Sequence, residues 1–151
     1  MNIGIAVPHI GPSQLGFLAI QMANQGLVST KHSYTIFYQQ MVPFCVQPSV
    51  PVMNVTEMWG FKGTVIATTL DLAETMLNSV KGDKIFYAWD LEWLRGNHKF
   101  DRNVSIYRDP NLRLVSRSND HAMELSNYCN RDPEVVHDLN IFEMIKEIQN
   151  G

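Results

Sequence analysis

The chain has 151 residues, 45% of them hydrophobic and 18% charged, and carries a formal net charge of -3 at neutral pH. That length suits one domain with one core, and the composition is that of a folded chain rather than a disordered one. The charge offers no basic field, which argues against recognition of a nucleic-acid backbone by charge alone. The two cysteines, Cys45 and Cys129, form no C-x-x-C pair on which zinc or redox chemistry would rest.

Residues 1–7 (Met-Asn-Ile-Gly-Ile-Ala-Val) read as a buried first strand and show none of the basic, apolar and cleavage regions of a signal peptide. No apolar run approaches the roughly 20 residues of a membrane span, so a soluble cytoplasmic protein with two free thiols is expected. Pro8, Gly11 and Pro12 break the strand. Ser13 is the expected N-cap of a helix in which Leu15, Leu18, Ala19, Met22 and Ala23 recur at helical spacing and which Gly26 closes. A strand, a Gly/Pro turn and a helix are how nucleotide- and sugar-binding Rossmann-like domains begin. The G-x-G-x-x-G fingerprint is absent, so His9-Ile10-Gly11-Pro12-Ser13 is a phosphate-loop candidate only through the free N–H groups of the helix start.

Residues 33–39 have the β-branched and aromatic content of a second strand, and 41–51, with three prolines, read as an ordered connection. Residues 52–56 are a short third strand or an extended edge, and 57–63 a turn. Residues 64–68 are a fourth strand, followed by a helix over 70–80 that gathers Leu72, Ala73, Met76, Leu77 and Val80 on one face. Residues 84–89 (Lys-Ile-Phe-Tyr-Ala-Trp) form an apolar run that suits a central strand buried on both faces. Residues 96–103 read as a polar loop, 104–107 and 113–116 as short strands around the 109–111 turn, and Asn119 or Asp120 as the cap of a helix carrying Ala122, Met123, Leu125 and Tyr128. Val135 and Val136 form the last extended piece, and 139–148 a terminal helix. Strands alternating with helices predict an α/β, Rossmann-like fold: one mostly parallel sheet flanked by helices, with residues 1–151 as a single domain.

In such a sheet ligands bind outside the carboxyl ends of the strands at the topological switch point. If the first, fourth and fifth strands are neighbours, that rule gathers 8–13, 68–71 and 89–92 around one cleft and places Asp90 near Ser13 and Thr69. Asp90 ends the central strand as a candidate general base, or else as a turn or cap aspartate. Glu92 shares its direction if the strand continues past Trp89. Trp89 and Trp93 are a candidate stacking platform, or else core or interface anchors, while His9, Gly11, Ser13 and Thr69 complete the candidate binding set. His98, His121 and His137 show no metal spacing, and no metal site is expected.

The segments Leu112-Arg113-Leu114-Val115-Ser116-Arg117-Ser118, then 120–128, then Val135-Val136-His137-Asp138-Leu139-Asn140-Ile141-Phe142, resemble the corresponding part of the N-terminal, acceptor-side half of a GT-B fold glycosyltransferase. Lys84-Ile-Phe-Tyr-Ala-Trp-Asp90 is similar to the strand that delivers the base-like aspartate in phage DNA glucosyltransferases, and 64–69 to the strand before it. The resemblance implies Asp90 as the matching carboxylate, with an offset of about one residue that keeps Glu92 in play. It also implies a nucleotide-sugar donor, no tightly bound cofactor, and a donor-binding domain that this stretch lacks, so that sugar transfer would need a partner chain. The alternative expectation is a non-catalytic α/β module, of viral or other origin, that keeps the fold without the reaction and assembles with itself or a larger complex through the aromatic and Pro-rich stretch 42–59.

Overall fold

The computed structural model describes residues 1–96 and 99–150, with the side chains of Glu147, Gln149 and Asn150 left aside. Seven strands run in chain order as β1 (Asn2–Val7), β2 (Ser33–Tyr38), β3 (Val52–Asn54), β4 (Thr64–Ala67), β5 (Lys84–Ala88), β6 (Arg113–Ser116) and β7 (Glu134–Val135). They form a single sheet in the order β3-β2-β1-β4-β5-β6-β7, and every pairing is parallel. The helices are α1 (Gln14–Ser29), α2 (Leu70–Ser79), α3 (Phe100–Tyr107), α4 (Asn119–Cys129) and α5 (Ile141–Asn150). This is the expected α/β, Rossmann-like architecture in one domain, and the strand order reverses between β1 and β4.

The strand sequences account for the two layers of helix. Ile3, Ile5 and Val7 of β1, with Ile85 and Tyr87 of β5, point to one side, where they meet Ala19, Ile20 and Ala23 of α1 and Ile141, Met144 and Ile145 of α5. Ala6, Phe86 and Ala88 point to the other side, onto Leu72, Ala73 and Met76 of α2, Ile106 and Tyr107 of α3, and Leu125 and Cys129 of α4. A parallel strand buried on both faces has to be apolar at consecutive positions, which is why these runs are continuous rather than alternating.

Serine or threonine caps start α1, α2 and α4 on the carboxyl side of the sheet. Ser13 Oγ accepts from Gly16 N–H at 2.9 Å, Thr69 Oγ1 from Leu72 N–H at 3.3 Å, and Ser118 Oγ from His121 N–H at 3.2 Å. Ser118, rather than Asn119 or Asp120, therefore caps α4. The helix closed in expectation by Gly26 runs on to Ser29. Gly26 instead makes room for Tyr34, whose Cζ would lie 2.4 Å from any added Cβ.

A larger correction concerns 104–107, expected as a strand and found as the second half of α3. The buried face of that helix is Asn103, Ile106 and Tyr107, at positions i, i+3 and i+4. One of its three members is polar, so the helical period hides behind the β-branched look of Val-Ser-Ile-Tyr. The expected loop over 96–103 accordingly shrinks, and His98 lies outside the described residues. The third strand stops at Asn54, whose Oδ1 accepts from Thr56 N–H at 3.0 Å and opens a 3₁₀ turn over Val55–Gly60. A second 3₁₀ turn, His137–Leu139, delays the last helix to Ile141, with Asp138 and Leu139 both at φ 53°.

Candidate functional site

Adjacency of β1, β4 and β5 brings the three expected loops together. Pro8, His9 and Ser13 after β1, Thr68 and Thr69 after β4, and Trp89, Asp90, Glu92 and Arg95 after β5 line one cleft of about 400 Å³ at the switch point. Its floor is held by buried Thr68, whose Oγ1–H donates to the Ala6 carbonyl at 2.8 Å and ties β4 to β1. His9 is fixed by its own turn. Its Nδ1 accepts the Gly11 N–H at 3.1 Å, so in the neutral ring the proton sits on Nε2. Gly11 itself does not line the cleft. It lies under the 41–51 connection, where an added Cβ would meet Val42 Cγ1 at 2.3 Å.

The two carboxylates differ. Asp90 Oδ1 accepts the Leu91 N–H at 3.0 Å, and Oδ2 pairs with Arg95 at 2.6 Å, with 37% of the Asp90 side chain and 78% of the Arg95 side chain exposed. A pair that open to water contributes about 0–1 kcal/mol and is easily parted. Glu92 is deeper. It leaves the strand direction in a one-turn 3₁₀ segment, Glu92–Leu94, and reaches back so that Oε2 accepts the Leu70 N–H at the start of α2, 2.7 Å away. Burial pushes its carboxyl up to about 7; the Leu70 hydrogen bond opposes this, the nearby Asp71 and Asp90 charges add to it, and Arg102 opposes it. A carboxyl poised near neutrality can exchange a proton with a bound hydroxyl, which a fully ionised surface carboxylate does less readily.

Glu92 also forms a wall of a smaller hollow of about 230 Å³ behind the cleft, shared with Leu70, Asp71, Gly96, Lys99, Arg102 and Asn103. Arg102 there is committed to Asp71 at 2.6 Å and Glu74 at 2.7 Å, which lowers the Glu74 carboxyl below its usual range.

The two tryptophans separate. Trp89 lines the cleft, with the Arg117 guanidinium 4.3 Å from its ring centroid. Trp93 turns away into an aromatic cluster. It stacks on Tyr128 at 4.1 Å with 9° between the planes, and meets Tyr107 edge-on at 5.9 Å. Trp93 is thus a packing residue of the α2–α4 layer, and the expected platform is reduced to Trp89. Beside Trp93, the buried Tyr107 hydroxyl has no hydrogen-bond partner among the described residues; burial, with Glu92 next in effect, raises it far above the ordinary tyrosine range.

Sequence reasoning did not single out Thr68, Arg95 or Arg117. Arg95 and Arg117 follow carboxyl-edge strands within a few residues, and that position was their available signal. A wider hollow of about 500 Å³ lies at the opposite, amino-terminal edge, around Lys84, Arg113 and Arg131. Its arginines brace the fold: Arg131 donates to the carbonyls of Tyr107, Asp109 and Leu112, and Arg113 pairs with Glu134. Among the described residues no three His, Cys, Asp or Glu side chains gather as a metal set, and no helix is long and apolar enough to cross a membrane.

Fold and site together define a Rossmann-like α/β protein with a cleft of mixed polar and apolar lining at its switch point and a near-neutral carboxyl in the wall. No family model, curated protein or solved structure matches the chain.

Proposed function

We propose that the cleft is the acceptor site of a sugar-transfer enzyme of GT-B type and that Glu92, rather than Asp90, is its proton acceptor. The observation that carries this reading is the Glu92 carboxyl, poised at about 7 in the wall of a cleft that also holds His9, Ser13 and Thr69, at the switch point of a parallel sheet. In the reaction, Glu92 takes the proton of an acceptor hydroxyl. The oxygen attacks the anomeric carbon of a nucleotide-sugar, and the bond to the nucleoside diphosphate breaks, with the electron pair leaving on the diphosphate. His9 Nε2–H and the Ser13 and Thr69 hydroxyls donate to the acceptor, and Trp89 packs against it. The donor is held by another domain or by a partner chain, in the cytoplasm, host cytoplasm if the protein is of phage origin.

Amide NMR titration with simple sugars and nucleotide-sugars tests binding. Ser13, Thr69 and the Trp89 indole are expected to respond to sugars. Transfer assays with and without a donor-domain partner are expected to give a rate that rises with pH through about 7 and loses that limb in Glu92→Gln. Silence of all three probes with every sugar, together with no transfer under any pairing, rejects the reading.

A second reading, an assembly module, is favoured by the edge of the sheet at β3. Trp59 is 71% exposed there, and Met53 on the edge strand 42%. Phe61, by contrast, is half-buried against Phe37 at 5.3 Å. If assembly is the function, light scattering finds an oligomer that Trp59→Ser dissolves. A monomer at high concentration removes this reading.

A further inference from the structure

The arginines of this chain differ in what satisfies them. Arg95, Arg102 and Arg113 pair with carboxylates, and Arg131 spends its N–H groups on three main-chain carbonyls. Arg108 is exposed on the far end of α3. Arg117 is different. It is partly buried, its Nη1 donates to the Trp89 carbonyl at 3.3 Å, and its guanidinium lies 4.3 Å from the Trp89 ring centroid. Among the described residues no carboxylate stands within ion-pair distance of it, although Asp138 lies close enough to act, like Arg117, on the Tyr87 hydroxyl. Stacking on one indole and one long hydrogen bond leave most of the fork of donors unused.

Its place in the fold gives this a meaning. Arg117 directly follows β6, at the carboxyl edge, and it is mounted on Trp89, a residue of the cleft wall. The donors that the indole and the Trp89 carbonyl leave over are available to a ligand's negative charge. Asp90, the nearest cleft carboxylate to the strand end, is already neutralised by Arg95, and Glu92 sits toward α2.

Resting on the acceptor-site reading above, we infer that Arg117 selects an acceptor carrying an anionic group: a sugar phosphate or sugar acid whose oxyanion docks on the guanidinium at the β6 margin while a hydroxyl faces Glu92. The net charge of -3 favours such a small ligand over a polyanion.

The test is a titration at low ionic strength with inorganic phosphate, glucose 6-phosphate, glucuronate and glucose, read on the Trp89 indole N–H and on the Ser13 and Thr69 amides. Both anionic sugars are expected to bind about ten-fold or more tighter than glucose, the low end for charge-assisted hydrogen bonds. Phosphate alone is expected to move the Trp89 signal. Arg117→Gln should bring the anionic sugars down to the affinity of glucose and abolish the phosphate response, and Arg117→Lys, which keeps the charge but not the fork, should retain part of both. Equal affinity for glucose and glucose 6-phosphate in the parent protein, or an unchanged preference in Arg117→Gln, overturns the assignment while glucose shifts at Ser13 and Thr69 leave the acceptor cleft standing. Conversely, a phosphate response lost in Arg117→Gln with no response to any sugar keeps the anion site and rejects the acceptor reading. A short single-stranded oligonucleotide that binds through Arg117 more tightly than glucose 6-phosphate overturns the small-ligand assignment.

Discussion

Glu92→Gln gives the sharpest physical test of the site, because its expected effect reverses the usual cost of changing a buried polar residue. A carboxyl raised from 4.5 to about 7 in the folded protein holds its proton more tightly when folded than when unfolded. Its contribution to stability is therefore fully present below pH 4.5 and is lost as pH rises through 7. At about 1.4 kcal/mol per pH unit, the loss from this one group has an upper bound of about 3.5 kcal/mol, and its partial contact with water makes about 2 kcal/mol the working figure. Glutamine has the shape of the protonated acid, and its side-chain oxygen still accepts the Leu70 N–H. Urea unfolding from pH 4 to pH 8 should thus find the variant close to the parent protein at the acid end and more stable than it by about 2 kcal/mol above pH 7. Carboxyl-carbon NMR should place the Glu92 titration near 7 directly. Parallel stability curves for the two proteins across that window, or a titration at the ordinary glutamate position, would show that Glu92 is solvated like any surface carboxylate, and the base assignment would go with it.

Asp90→Asn should change the melting temperature little, since the Asp90–Arg95 pair is exposed and contributes about 0–1 kcal/mol; a thermal melt showing a loss near 2 kcal/mol would make Asp90 a structural turn residue. Tyr87→Phe removes a buried hydroxyl that donates to Val136 O at 2.7 Å and accepts from Leu139 N–H at 3.1 Å. It should cost about 1–3 kcal/mol and speed hydrogen exchange at the Leu139 amide, and unchanged exchange there would contradict the pinning role. Gly26→Ala places a methyl 2.4 Å from Tyr34 Cζ and should destabilise by about 1–3 kcal/mol in denaturant unfolding, where an ordinary exposed helix position would gain from the same change.

What was legible in the sequence is what depends on period and punctuation. The apolar runs of β1, β4 and β5 suit strands covered on both sides, and Ser13 and Thr69 sit where a helix start needs an acceptor, so the cleft followed once β1, β4 and β5 proved to be neighbours in the sheet. What escaped depends on where the chain goes after a strand ends. Asp90 and Glu92 look like neighbours on one strand face, but the strand stops at Ala88 and the 3₁₀ segment at Glu92 rotates the second carboxyl away from the cleft mouth toward the α2 N-terminus. The same rotation carries Trp93 off the cleft and onto Tyr128. No spacing rule separates a two-residue strand extension from a tight turn, since both are compatible with Asp-Leu-Glu-Trp.

That turn also explains why the deeper carboxylate is the better candidate for proton transfer. Leaving Asp90 at the mouth gives it water and Arg95; drawing Glu92 inward gives it one backbone N–H, two neighbouring acids and little solvent. Burial is the main cause that raises the Glu92 carboxyl, and the two neighbouring acids add to it. The α2 N–H that holds Glu92 partly offsets its desolvation, keeping its carboxyl near 7 rather than higher, where it would stay protonated and unable to accept.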